Sequence, residues 1–226
     1  MPAANIIELR QLLAERFPGL RTRADELSAA KHAFWPTGVP HLDEPLRGGL
    51  AKGGLTEIVA EQRGSGSALL MTALIHRALS ENKFVAAIDG EDSLDVTQLG
   101  GDLSRLLWVR CRSVAEALKA ADLLLRDGNL PLVLLDLASN PAAQLRKIPA
   151  TTWYRFQRLI EQTSAVCVVL APRPMVAPAQ VRIILRSRFS LKALEREPQE
   201  LLRELKVEVA ETRRFGEERE LESRLA

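Results

Sequence analysis

Residues 58–74 read IVAEQRGSGSALLMTAL. Ile58 and Val59 end an apolar strand, Gly64-Ser65-Gly66-Ser67 makes a glycine- and serine-rich turn, and an apolar run with the composition of a helix follows. Strand, glycine turn and helix form the layout that lets backbone N–H groups and a helix N-terminus point at phosphate. The full pattern of such a loop is G-x-x-x-x-G-K-[ST], whose lysine brings a point charge to the outer phosphates. No lysine stands between Lys52 and Lys83. The stretch is either a nucleotide site lacking one part or what is left of one.

Working outward, residues 55–59 are predicted as a strand and 68–80 as a helix. Residues 84–88 and 107–109 read as further strands. Ser113 and Glu116 have capping-box spacing and open a helix to about residue 126, which Asp127-Gly128-Asn129 stops. Residues 132–136 are an apolar strand ending in Asp136, 151–163 a helix, and 164–170 another apolar strand. Residues 182–191 and 206–210 read as later strands. Near-continuous apolar strands separated by helices imply a mainly parallel sheet covered on both faces, a three-layer α/β core. Ahead of it, NIIELRQLLAER (5–16) sets Ile6, Leu9, Leu12 and Leu13 at helical spacing, and Pro18-Gly19 stops that helix. This stripe packs either on its own domain or on a neighbouring subunit. The chain thus divides into a helical arm and linker (1–36), a core (37–210) and a charged tail (211–226).

The 226 residues, 46% of them hydrophobic, suit one well-cored domain with extensions. A formal net charge of +2 argues against a protein that grips nucleic acid mainly by a basic surface. Cys111 and Cys167 have no metal-ligand spacing and the three histidines are scattered, so no metal site is expected. Charges interrupt every apolar stretch near the N-terminus, so neither a signal peptide nor a membrane span is expected there. The expected location is the cytoplasm.

In open α/β sheets ligands bind beyond the carboxyl ends of the strands. The glycine turn after Val59, Glu91 after Ile88, and Asp136 after Leu135 all fall at such ends. Each alone has a structural explanation, since an acid after a strand often caps the next turn. The three in this order resemble RecA. TGVPHLDEPLRGGLAKGGLTEIV (37–59) resembles the segment leading into the first core strand of that family. FVAAIDGEDSLD (84–95) resembles the stretch carrying its catalytic glutamate, which falls on Glu91, and LPLVLLDLAS (130–139) resembles its Walker B strand, with Asp136 in the magnesium-linked place. The likeness runs from about residue 37 to about residue 209.

The departures from that family bear on function. With Ala60 as the first loop position, Gly66 stands at the lysine and Ser67 at the hydroxyl; sliding by one puts Ser67 at the lysine. Neither register supplies a cation, and Arg63 precedes the turn. Where RecA has a phosphate-sensing Asn-Gln pair, this chain has Ala171 and Pro172, and the DNA-binding loops that the resemblance implies, 172–180 and 140–150, are short. Gly64, Gly66, Ser67, Glu91 and Asp136 are thus read as a degenerate nucleotide site. No cofactor is expected, weak ATP–magnesium binding being left open, and no ATPase activity.

Among RecA-like proteins without a working phosphate loop, the chain most resembles the ImuA family of bacterial mutagenesis cassettes. That resemblance implies a non-catalytic role in damage-induced translesion synthesis, contact with RecA or an ImuB-type polymerase-like protein, and weak or indirect DNA binding; self-association is an alternative. Two rivals remain: a RecA-like ATPase in which Arg63 replaces the lysine, and a cell-division inhibitor of the SulA kind. Arg182, Arg186 and Arg188 alternate in a strand-like stretch, forming either a basic face or a solvated one. Trp153-Tyr154 reads as core packing in preference to a base-stacking platform, and 194–205 as a solvated charged helix.

Overall fold

The computed structural model describes residues 33–211. The arm residues Ile6, Leu9, Leu12 and Leu13, and the tail from residue 212, lie outside them. Seven strands form the central sheet: β3 (Gly54–Val59), β4 (Val85–Asp89), β5 (Leu106–Arg110), β6 (Leu132–Asp136), β7 (Val166–Ala171), β8 (Val181–Leu185) and β9 (Val207–Glu211). Their order is β5-β4-β6-β7-β3-β8-β9, parallel throughout except for β9, which runs antiparallel to β8. Two short strands, β1 (Phe34–Trp35) and β2 (Leu50–Ala51), pair antiparallel beside it. Trp35 is buried there, while Phe34 stays exposed.

The sheet is covered on both sides because its strands are apolar at successive positions, not alternate ones. On one face α1 (Pro40–Asp43) and α2 (Ser67–Ser80) pack Leu42, Leu70, Met71, Leu74 and Ile75 against Ile58, Leu134, Val168 and Ile183. On the other face lie α3 (Val114–Asp127), α4 (Ala142–Leu145) and α5 (Ala150–Ile160). They pack Ala117, Ala121, Leu125, Trp153, Phe156 and Ile160 against Leu55, Ile88, Leu135 and Val169. Trp153 and Phe156 meet edge to face, with ring centroids 5.9 Å apart, which makes Trp153 a core residue; Tyr154 faces water. α3 is capped as its sequence predicts: Ser113 Oγ accepts the Glu116 N–H, while the Glu116 carboxylate accepts the Arg112 N–H at 2.8 Å.

Two expectations change. The stretch 182–191 is not one strand: β8 ends at Leu185, after which the chain leaves the sheet. The stretch 194–205 is not a solvated helix. A 3-10 turn (Leu191–Glu195) leads into α6 (Pro198–Arg203), and Leu201 and Leu205 are buried. Charge dominates this stretch by count, but Leu201 and Leu205, four residues apart, face inward, and burial follows them.

Candidate functional site

The carboxyl ends of β3, β4 and β6 lie on one edge of the sheet because these strands are parallel. β4 and β6 are neighbours with Asp89 opposite Asp136, and the Gly90 N–H donates to the Asp136 carbonyl at 2.9 Å. The Glu91 and Asp136 segments are therefore in direct contact. The glycine turn follows β3, and β7 stands between it and the acids.

Each acid has an occupation. Asp89, buried at 1% exposure, caps the loop after β4 by accepting N–H groups from Ser93 at 2.9 Å and Leu94 at 2.7 Å. Glu91 is exposed, and its carboxylate accepts the Asn140 Nδ2–H at 2.7 Å; the same amide donates to the Gly90 carbonyl at 2.8 Å. Asp136 accepts the Ala138 N–H at 2.9 Å. Burial nevertheless pushes its carboxyl up to about 6, the neighbouring Asp89 charge adds to the rise, and the Ala138 bond opposes it. Among the described residues no group of three or more His, Cys, Asp or Glu is placed to hold a metal ion.

The glycine turn keeps its backbone shape. Gly64 and Gly66 have φ of 73° and 95°, in the left-handed region that favours glycine, and Gly66 starts α2 with no side-chain cap. Gly64 stays exposed, but Ser65 is buried and Gly66 half-buried, because the chain itself closes over that part of the turn. The Phe189 N–H donates to the Gly64 carbonyl at 2.8 Å. A Cβ at Gly64 would come within 2.5 Å of the Phe189 carbonyl oxygen, and one at Gly66 would collide with Leu205 Cδ1 and crowd the Phe189 ring at 3.3 Å. With Ala60 as the first loop position, the space a lysine would enter at residue 66 is thus filled by apolar groups. Ser67, the first residue of α2, is half-buried, and Arg63 is exposed ahead of the turn.

Sequence reasoning missed Glu57, Asn140, Phe189 and Leu205. Glu57 is fully buried in the middle of β3, and there it accepts the Met175 and Val176 N–H groups at 2.6 and 2.9 Å and pairs with Arg182 Nε at 2.6 Å. The signal for it was a lone acid inside an apolar strand. This clamp pins the loop 172–180 to the sheet and occupies Arg182. Arg186 lies beyond the end of β8 and is shared by Glu208 and Glu61 at 2.8 and 3.4 Å; Arg188 is exposed further along. The three arginines therefore do not share one strand face, and two of them already have carboxylate partners.

No protein-family model matches the chain. It is 34% identical to RecA of Cutibacterium acnes over 143 residues, 61% of this chain and 41% of that protein. It is 36% identical to RecA of Clavibacter michiganensis over 121 residues (52% and 33%), and 34% identical to RecA of Fusobacterium nucleatum over 122 residues (52% and 32%). The chain thus spans well under half the length of these relatives. Together with the sheet order, the matches support a RecA-like core.

Proposed function

We propose that this chain is a non-catalytic, RecA-like accessory protein that works by presenting surfaces, and that it serves damage-induced translesion DNA synthesis as members of the ImuA family do. One observation carries the non-catalytic part: the turn has no cation, and Leu205 and Phe189 fill the space at Gly66. A triphosphate is strongly anionic, and one lost charge-assisted bond costs about 1.5–3 kcal/mol. The carboxylates of Glu61, Glu91 and Asp136 at this edge of the sheet oppose the phosphates further. The translesion part rests on the resemblance, on the short loops 140–150 and 172–180, and on the pinning of the second loop by Glu57. Its partners in this reading are RecA itself or an ImuB-type polymerase-like protein, with weak DNA binding of its own.

Titration calorimetry with ATP and magnesium, paired with phosphate-release assays with and without single-stranded DNA, tests the reading. Weak binding at most, and no turnover, is expected. Steady phosphate release that disappears in Asp136→Ala or Glu91→Gln would overturn it, and release that also disappears in Arg63→Ala would point to the arginine-assisted ATPase. Pull-downs against RecA, the polymerase-like partner and the division machinery separate the binding roles.

A further inference from the structure

We infer that residues 186–206, the connection between β8 and β9, are a built-in cover that holds the Ser65–Gly66 part of the glycine turn, at the start of α2, closed to phosphate-bearing ligands. The inference rests on the non-catalytic reading and says how the silent site is kept silent.

The connection is closed at its base. The Arg186 N–H donates to the Lys206 carbonyl at 2.8 Å, and the Lys206 N–H donates to Ser187 Oγ at 2.7 Å, with Ser187 only 5% exposed. From this base the chain folds back over the turn, where Phe189 hydrogen-bonds Gly64 and its ring approaches Gly66. The far limb is held separately: α6 packs on α2, and His41 Nε2 donates to the Leu205 carbonyl at 2.9 Å. Leu205, 3% exposed, is thereby set against Gly66. Neither Leu205 nor the Phe189 ring offers a hydrogen-bond donor, so no phosphate oxygen exchanges its water for either of them without loss.

Beneath the cover the turn has not been rebuilt as core. Ser65 Oγ is buried, at 1% exposure for the residue, without a hydrogen-bond partner, and the first N–H groups of α2 have no side-chain cap. A segment made only for packing would replace that hydroxyl, because an unsatisfied buried polar group is costly. The two glycines here serve the close approach of Phe189 and Leu205.

The test uses the full chain with inorganic pyrophosphate and magnesium as the probe. Leu205→Ala and Phe189→Ala are compared with the unmodified protein by calorimetry, while hydrogen exchange follows the Phe189 amide and the β3 amides. Opening the cover is expected to speed Phe189 exchange about tenfold or more with β3 unchanged, and to strengthen pyrophosphate binding by a similar factor. Should either variant loosen β3 as well, Ser187→Ala supplies an independent route outside the turn, since it removes the acceptor of the Lys206 N–H at the base of the connection. Freed Phe189 exchange without any gain in pyrophosphate binding overturns the proposal. So does unmodified protein that binds pyrophosphate as tightly as the variants. ATP turnover by the unmodified protein would instead sink the non-catalytic reading, so the two failures are distinguishable.

Discussion

Burial brings the titration of Asp136 into an accessible pH range. Its ordinary value is 3.8, and burial lifts it to about 6 in the fold. Between those values the folded chain keeps a proton that the unfolded chain has released, so stability falls as pH rises from about 4 to about 6 and then levels off. The difference corresponds to about 1–3 kcal/mol. Asp136→Asn, which still offers an oxygen to the Ala138 N–H, is expected to gain that much at pH 8 and almost nothing at pH 4. Urea melts at the two pH values check this, and an equal loss at both would show that the carboxylate is worth more to the fold than its burial costs. Cys167 gives a second expectation: burial pushes its thiol up to about 12, and burial with the Glu116 and Asp89 charges also raises Cys111. A thiolate-directed reagent should leave both unlabelled in the native protein and label both in denaturant; native labelling of either would contradict their burial.

At the scale of elements, the Glu57 clamp joins β3, β8 and the loop between β7 and β8. Glu57→Ala leaves Arg182 and two buried N–H groups without their acceptor, a loss expected to cost about 3–5 kcal/mol. Glu57→Gln keeps an oxygen for Met175 and Val176 and should cost less. Denaturant midpoints rank the variants, and equal losses would mean the retained oxygen contributes nothing and the charge paired with Arg182 carries the whole effect. This clamp also marks where the sequence stopped being legible. β3, β4, β6 and β7 were readable because doubly covered parallel strands are apolar runs, and α3 because Ser113 and Gly128 announce its ends. The connection 186–206 was not readable. Its alternating arginines imitate a strand, while the contacts that shape it, Phe189 to Gly64 and Leu205 to Gly66, join residues far apart in the chain. The site was half legible: Glu91 and Asp136 stand where the pattern put them, but their engagement with Asn140 and Ala138 depends on side-chain geometry that no spacing reveals.

For the whole molecule, the near-neutral charge and the engaged arginines predict weak single-strand DNA affinity that falls steeply with salt. Filament-like coating at physiological salt, seen by fluorescence anisotropy or microscopy, would contradict it. The arm lies outside the described residues, and its proposed role is contact with a second RecA-like subunit, either another copy or RecA. Burying each of Ile6, Leu9, Leu12 and Leu13 contributes about 1.5–3 kcal/mol before the entropic cost of association. Deleting residues 1–20 should therefore weaken self-association or RecA binding while circular dichroism stays native. Unchanged mass in light scattering together with unchanged RecA affinity would leave the arm as a packing helix only.

The strand order carries a kinetic consequence. β3 lies between β7 and β8, with Gly54 opposite Val166 and Thr56 opposite Val181, so neither neighbour of the first long strand exists until most of the chain has been made. During synthesis Leu55, Ile58 and Val59 wait exposed while β4, β5 and β6 pair among themselves, and the sheet closes only when its middle is filled from the later half. Non-local closure of this kind is slow and prone to aggregation. A stalled nascent chain with about 160 residues outside the ribosome should already hold the β4–β6 half against proteolysis yet leave β3 open to cutting until β7 and β8 arrive on either side of it.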